Sequence, residues 1–371
     1  MSPWKAAHPG DAFEEIDTPA LVLDLDAFER NLARMTQALA GSTLRLRPHA
    51  KSHKCPEIAL RQIQQGAIGI CCQKVSEAAR FVEAGVKDVL ITNQIVGAKK
   101  VEHVLDLAAR ATIGVLVDHA IQVEQFAQAT SARKIMVDVY IEVDVGMGRC
   151  GVASVEDVTA LAQQINAASH LRFMGLQCYH GSAQHYREPA QRQAAIRQAS
   201  EIAVTMRAAL EKIGIKVERI TGAGTGSVVL ERDSGVFNEV QSGSYIFMDA
   251  DYAKNQPGPQ DIEFEHALFV KTAVLSRPTT DRAVVDAGLK ASSVDSGLPL
   301  VWKKTGVHYV KASDEHGVLE TVSANDPALG DSLLLVPGHC DPTVNLYDEL
   351  ICYRGDKVEA VWPIAARGAT L

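Results

Sequence analysis

Short apolar runs of strand length alternate with longer amphipathic stretches from residue 44 to residue 247, and this rhythm is the strongest pattern in the chain. The strand-like runs occupy residues 44–49, 69–73, 88–93, 112–117, 136–144, 174–179, 217–221 and 240–247. Between most of them lie stretches with helical spacing, at 56–65, 75–85, 101–109 and, longest, 188–213. A strand, a helix and a strand in succession make a parallel pair, and eight such units predict a closed (β/α)8 barrel. An open doubly wound sheet is the alternative. Residues 20–25 form a ninth candidate strand, one more than the barrel can seat, so they either open the barrel or belong to a second domain. After Tyr252 the texture changes. Residues 255–260 are rich in turn formers, and beyond them Val/Leu runs at 267–275, 283–286, 333–336 and 349–353 are separated by Gly, Pro and Asp. That pattern predicts a mostly β domain.

The chain's 371 residues accommodate one barrel of about 250 residues and a smaller domain. A net charge of -8, with no basic run, argues against a nucleic-acid partner. Residues 1–10 lack the apolar core of a signal peptide, and no apolar run reaches membrane-spanning length. The seven cysteines form no C-x-x-C pair, and Cys71 and Cys72 are adjacent. Such usage predicts reduced thiols in a cytoplasmic protein and no thiolate-rich zinc site.

In a (β/α)8 barrel the chemistry gathers where strands end. Those ends are Lys51, Gln73, Asn93, residues 144–149, 179–185, 222–227 and 243–252, and nearly every one is polar. Lys51 is a candidate Schiff-base nucleophile, because desolvation and neighbouring cations favour a neutral amine. Alternation along the first strand predicts Arg45, Arg47, His49 and Lys51 on one face, opposite Leu44 and Leu46. A positive inward face would hold Lys51 partly neutral and attract an anionic cofactor. Pro48 stands where it can break that register.

Three further segments carry candidate chemistry. Gly222-Ala-Gly-Thr-Gly-Ser227 follows the seventh strand; its small residues let backbone N–H groups approach a phosphate, and Thr225 and Ser227 add hydroxyls. A tight glycine turn explains the same residues equally well. Gln241-Ser-Gly-Ser-Tyr245 repeats the small-residue pattern after strand eight. In Gly338-His-Cys-Asp-Pro-Thr343 an extended backbone would point His339 and Asp341 the same way, half of a site for Mn²⁺ or Mg²⁺. The triplet is common, and taken alone it more often marks a turn. Tyr179-His-Gly-Ser-Ala-Gln-His185 supplies two histidines able to act as a base near neutral pH. Asp314-Glu-His-Gly317 is a similar polar cluster with no evident task.

These segments, taken together, resemble a known family. Arg47-Pro-His-Ala-Lys-Ser-His-Lys-Cys-Pro56, Gly146-Met-Gly-Arg-Cys-Gly151, Gly224-Thr-Gly-Ser227, Gln241-Ser-Gly-Ser-Tyr245, Val285-Asp-Ala-Gly-Leu-Lys290 and Gly338-His-Cys-Asp-Pro-Thr343 are similar to motifs of the bacterial D-threonine aldolases. Relatives of that family include 3-hydroxy-D-aspartate aldolases and, further off, D-serine dehydratase-like enzymes, all of the alanine-racemase fold with pyridoxal 5′-phosphate (PLP). The resemblance implies a PLP barrel at residues 26–252, a β domain built from 1–25 and 253–371, and a homodimer. It matches Lys51 to the lysine that bonds the cofactor. Gln73, Arg149, Tyr179, Thr225, Gly226, Ser227, Gly243, Ser244 and Tyr252 match cofactor contacts. His339 and Asp341 match the ligands of a divalent metal, and His185 matches the base. The dehydratase relatives place a cysteine two residues after the metal histidine; here that place is Asp341, which favours the aldolases.

The activity implied is cleavage of a D-β-hydroxy-α-amino acid to glycine and an aldehyde. D-threonine, D-phenylserine and 3-hydroxy-D-aspartate all qualify as substrates. The alternatives are a PLP- and metal-dependent D-serine or D-3-hydroxyaspartate dehydratase, and a non-catalytic PLP-binding homeostasis protein. The second of these would lack both the β domain and the H-x-D segment.

Overall fold

The computed structural model describes residues 4–322 and 326–371; the first three residues of the segment read for a signal lie outside that range. The chain enters through β1 (Ala20–Asp24) and α1 (Leu25–Leu39), whose first turn is capped by the Asp24 carboxylate accepting from the Ala27 amide at 3.1 Å. Eight strands follow: β2 (Arg45–Leu46), β3 (Ile70–Cys72), β4 (Asp88–Gln94), β5 (Thr112–Val117), β6 (Val137–Glu142), β7 (Leu171–Gln177), β8 (Arg219–Gly222) and β9 (Glu239–Val240). Helices α2 (Pro56–Gln64), α3 (Val75–Glu83), α4 (Ala98–Ala108), α5 (Ala120–Arg133), α6 (Val155–Ala167), α7 (Pro189–Lys212) and α8 (Val228–Ser234) alternate with them. All the strand pairs are parallel, in the order β2-β9-β8-β7-β6-β5-β4-β3. A parallel bridge between His49 and Cys71 joins the two ends, with the Cys71 amide donating to the Pro48 carbonyl at 2.9 Å. The sheet therefore curls into the eight-stranded barrel that the rhythm predicts.

Two strands fall far short of the pattern. β2 stops at Leu46 rather than His49, because Pro48 has no N–H to continue a ladder. The eighth strand covers only Glu239–Val240; the chain then turns through Gly243 into a 3₁₀ turn at Ser244–Ile246, where residues 240–247 read as one strand.

Inward residues follow the two-residue period of the strands and stack in layers. A charged floor contains Arg47, which bonds Glu239 at 3.1 Å and Asp88 at 2.5 Å, and Arg172, which bonds Asp138 at 2.7 Å. Above it lies an apolar layer of Cys71, Leu90, Leu116, Tyr140 and Met174. Two residues further along their strands come Gln73, Thr92 and Glu142; Gln177, paired with Glu142 beyond the irregularity at Gly175, and Gln241, just past β9, complete a polar roof. The expected positive face thus divides. Arg45 is exposed, Arg47 is neutralised in the floor, and only His49 of that strand reaches the roof.

The remaining strands are β10 (Leu268–Thr279), β11 (Arg282–Val285), β12 (Leu300–Val301), β13 (Val307–Ala312), β14 (Gly317–Thr321), β15 (Ser332–Val336), β16 (Glu349–Arg354) and β17 (Lys357–Pro363). They form a second, mostly antiparallel sheet, which also takes in β1 between β10 and β16. The ninth strand candidate therefore lies outside the barrel. A short helix, α9 (Cys340–Val344), follows β15 and packs against the barrel mouth.

Candidate active site

The mouth of the barrel and the start of α9 enclose a cleft of about 290 Å³, lined by Lys51, Gln73, Arg149, Tyr179, His185, Thr225, Gly243, Ser244, Tyr252, His339 and Asp341. Eleven of the thirteen residues singled out in the sequence thus converge from seven separate segments.

Lys51 sits in a 3₁₀ turn, Ala50–Ser52, that breaks the strand alternation after His49. His49 caps the turn, its Nδ1 accepting from the Lys51 amide at 3.3 Å. Burial pushes the His49 imidazole well below its ordinary pKa, so it is neutral. With Nδ1 accepting, Nε2 carries the proton and donates to Thr92 Oγ1, 2.9 Å away. The Gln73 amide nitrogen drawn 3.1 Å from that same Nε2 would set donor against donor, so the Gln73 oxygen belongs there. Gln73 is itself fixed by its backbone N–H donating to the Glu77 carboxylate at 2.6 Å, in the first turn of α3.

Asp341 lies 3.4 Å from Lys51 Nζ. Its negative charge raises the lysine pKa more than burial lowers it, which corrects the expectation of a partly neutral Lys51. Burial works against the Asp341 carboxylate, but Lys51 and His339 together bring its pKa down to about 2. The local backbone also differs from the reading of an extended triplet. His339 is extended, but the helix starts at Cys340, so Asp341 belongs to its first turn. The Cys340 thiol is fully buried and directed at Asp341 Oδ1, 3.3 Å away.

The segment after the eighth strand docks this helix onto the barrel. The Ala250 and Asp251 amides donate to the Pro337 and Gly338 carbonyls at 2.9 and 3.2 Å. The buried Asp249 carboxylate accepts from the Tyr252 amide at 2.9 Å and the Cys340 amide at 3.0 Å.

His185 ends a 3₁₀ turn, Ser182–His185, and its ring is stacked near Tyr252 with centroids 6.1 Å apart. His185 Nδ1 is 2.6 Å from Asp251 Oδ2, while the other Asp251 oxygen accepts from Arg187. Burial would raise the Asp251 pKa, but Arg187 and His185 hold it below the usual carboxylate range. Sequence reasoning missed Asp251 and Arg187. The alternating acids of Asp249-Ala-Asp-Tyr252 were the available signal.

Arg149 is carried on the loop after β6. Asp144 shapes that loop by accepting from the Gly146 and Gly148 amides, both at 3.0 Å. The guanidinium lies 5.9 Å from the Tyr179 ring centre and 3.7 Å from Glu142.

The glycine-rich segment 222–227 divides in its duties. Thr225 lines the cleft, and its hydroxyl is buried with no partner among the described residues. Gly226 and Ser227 do not line it; their donors are taken up within the protein. The Gly226 amide donates to Gln184 at 3.0 Å, and Ser227 Oγ is shared between Gln184 at 2.7 Å and Glu231 at 2.9 Å. These two residues hold the loop in place. A Cβ on Gly224 would meet Gln184 Cδ at 2.5 Å, so glycine is required for the loop to pack there. A lysine amine at the floor, a free buried hydroxyl on the wall and a flanking arginine fit a cofactor that carries both an aldehyde and a phosphate. His339 and Asp341 offer one nitrogen and one carboxylate to a cation. The described residues contain one three-member cluster with metal-ligating geometry, Asp118, Glu142 and Cys150, and neither His339 nor Asp341 belongs to it.

Comparison with known proteins gives a consistent result. Residues 23–251 match the alanine racemase N-terminal domain, and residues 267–353 match the putative serine dehydratase domain. The chain is 48% identical to a D-threonine aldolase of Arthrobacter sp. over 98% of its length and 96% of that protein's. It is 43% identical to a 3-hydroxy-D-aspartate aldolase of Paracoccus denitrificans, covering 98% of this chain and 95% of that one. The crystal structure of a D-threonine aldolase from Filomicrobium marinum superposes with a TM-score of 0.97 at 47% identity, over 99% of this chain and all of that one.

Proposed function

We propose that this chain, which belongs to the alanine racemase N-terminal domain family in the branch of the D-threonine aldolases, cleaves D-β-hydroxy-α-amino acids to glycine and an aldehyde. One observation carries the reading: a single small cleft holds the Lys51 amine, 3.4 Å from Asp341, together with His339 and His185.

In this reading the barrel, residues 26–252, holds PLP, and residues 1–25 with 253–371 bring the cation. Lys51 would be the covalent anchor, and Gln73, Arg149, Tyr179, Thr225, Gly243, Ser244 and Tyr252 line the cleft that would receive the cofactor. PLP supplies an electron sink for the pair left at Cα when the Cα–Cβ bond breaks. His339 and Asp341 would hold a divalent cation, Mn²⁺ or Mg²⁺, whose charge would acidify the substrate's β-hydroxyl.

His185 removes the hydroxyl proton at Nε2. Its Nδ1 is committed to Asp251, so the free lone pair faces the cleft, and Asp251 stabilises the imidazolium that forms. Arg187 keeps Asp251 from turning away, donating to its backbone carbonyl at 2.8 Å as well as to its side chain. The closed roof of Gln177 and Gln241, whose amides bond each other at 2.7 and 3.0 Å, bars water from below.

Two observations count against the alternatives. A non-catalytic PLP carrier accounts for neither the second sheet nor α9. A dehydratase of the related type has its cysteine where Asp341 stands, and Cys340 is not among the residues that line the cleft. A small-molecule substrate, a homodimer and a cytoplasmic setting without nucleic-acid or membrane partners belong to the same proposal. The cytoplasmic setting is supported by seven unpaired thiols. Among the described residues no helix is long and apolar enough to cross a membrane.

The test is to supply PLP and Mn²⁺ with D-threonine, L-threonine, D-phenylserine or 3-hydroxy-D-aspartate, and to assay glycine, aldehyde and keto acid. Glycine and acetaldehyde from D-threonine alone of the two threonines, with both lost in Lys51→Ala, is the expected outcome. Ammonia with 2-oxobutanoate would assign a dehydratase instead. The relative rates on the three D-substrates settle the preferred side chain.

A further inference from the structure

We propose that Asp295 is the positioning residue of the cation site: its carboxylate fixes His339 Nδ1 and so presents Nε2 to the cleft as the ligand atom. This inference rests on the reading that His339 binds the cation.

His339 Nδ1 is 2.7 Å from Asp295 Oδ2. His339 lines the cleft and Asp295 does not, so the ring lies between the carboxylate and the cavity. Nε2 makes no hydrogen bond among the described residues. An ionised carboxylate only accepts, so it requires the proton on Nδ1, and a neutral imidazole then has its lone pair on Nε2.

The carboxylate is itself held in place. Ser293 Oγ donates to its Oδ1 at 2.8 Å, and Ser296 Oγ donates to its Oδ2 at 3.2 Å. The loop bearing it is tied to the helix that carries Asp341. The Ser293 amide donates to Thr343 Oγ1 at 3.2 Å, and that hydroxyl donates to the His339 carbonyl at 2.8 Å. Gly338 packs so closely on Gly297 that a Cβ there would lie 2.9 Å from its carbonyl carbon. The orientation of His339 is thus fixed relative to Asp341 by a short, closed set of contacts.

Asp295 is about half exposed, 48% by side-chain area, and an ion pair so exposed contributes little to folding. Its geometry instead matches the arrangement in which a metal-binding histidine donates its second N–H to a carboxylate. Loss of such a carboxylate weakens metal binding about 10- to 100-fold.

The experiment titrates PLP-loaded wild type, Asp295→Ala, Asp295→Asn and His339→Ala with Mn²⁺. Free Mn²⁺ is read by electron paramagnetic resonance, and cofactor absorbance and melting temperature are recorded alongside. Asp295→Ala is expected to bind Mn²⁺ 10- to 100-fold more weakly, and Asp295→Asn less so, since its carbonyl still accepts from Nδ1–H. Cofactor absorbance and melting temperature should stay as in the wild type. Wild-type Mn²⁺ affinity in both Asp295 variants, with affinity lost in His339→Ala, would overturn the positioning role alone. Unchanged affinity in His339→Ala would overturn the cation site on which it rests. A weakened Asp295→Ala whose melting temperature falls in step would make the residue structural and likewise overturn the proposal.

Discussion

Replacing Asp251 with asparagine should be more damaging than removing its side chain, and the contacts show why. Asp251 is nearly buried and serves two groups at once: one oxygen faces His185 Nδ1 at 2.6 Å, the other faces Arg187. Arg187 is in turn anchored to the Asp251 carbonyl at 2.8 Å and to Asn255 Oδ1 at 2.6 Å, so it stays and keeps demanding an acceptor. An asparagine must give its oxygen to Arg187, which leaves its NH₂ pointing at His185. That NH₂ needs a lone pair on Nδ1 and drives the imidazole proton onto Nε2, where the base should be free. Losing a positioned general base costs about 10²- to 10⁴-fold in kcat, roughly 3 to 5 kcal/mol of barrier. Asp251→Ala imposes no tautomer and should lose less. The assay is steady-state acetaldehyde release from D-threonine, with kcat and KM resolved for wild type and both variants. Melting temperatures, with cofactor absorbance, serve to exclude misfolding. The reasoning is refuted if Asp251→Asn keeps kcat within about threefold of wild type, or if Asp251→Ala proves the more impaired of the two.

Two further predictions concern the Lys51 turn. A Cβ at residue 243 would lie 2.5 Å from Ser52 Oγ and 2.7 Å from the His49 carbonyl, well inside the ordinary contact distance. Gly243→Ala should therefore cost about 1–3 kcal/mol and shift the turn that carries Lys51. A PLP titration of the apoprotein should show clearly weakened binding, and an unchanged affinity would count against the packing argument. His53, fully buried, accepts from the Cys55 amide at 3.1 Å through Nδ1, and burial lowers its pKa to about 3. Between pH 6.5 and 3 the unfolded chain binds a proton here that the folded chain does not, so stability falls as pH drops through that window. From pH 7 to pH 5 the loss from this group is about 2 kcal/mol. Urea melts of wild type against His53→Gln should show their stability difference shrinking by that amount, and a difference independent of pH would exclude His53 as the cause.

The parts of the fold that obey one periodic rule were legible in advance. The strand–helix alternation gave the barrel, and the two-residue period along β4 and β6 puts Asp88, Leu90 and Thr92, or Asp138, Tyr140 and Glu142, in successive interior layers. Legibility failed where the backbone leaves its period. Lys51 and Asp341 both sit in a short helical turn beyond the end of an extended segment, so counting by twos does not describe the backbone that carries them. The positive face was misjudged for a different reason. Arg47 finds its counter-charges on β4 and β9, some 40 and 190 residues away in sequence, and no local window contains them. Ser227 shows the converse limit: a hydroxyl in a glycine-rich loop suggests a phosphate contact, while its distant partner Gln184 takes it inward.

The pairing of carboxylates with histidines also explains why the site needs both halves of the molecule. His185 and Asp251 both come from the barrel and its exit segment, whereas His339 and Asp295 come from the second sheet. Neither pair alone is close to a complete site. What brings them together is Asp249, whose two oxygens cap the Tyr252 amide on one side and the Cys340 amide on the other. The Tyr252 contact is local to the exit segment, but sliding α9 away from the barrel would leave the buried Cys340 amide and one Asp249 oxygen unpaired. Such unpaired groups cost about 1–3 kcal/mol each, and more where charge is involved. The distance from Lys51 to Asp341 is therefore set by backbone contacts, independently of the attraction between the two charges. A site fixed in this way keeps its shape when the charges inside it change, and a cleft in which protons and a cofactor come and go requires that property.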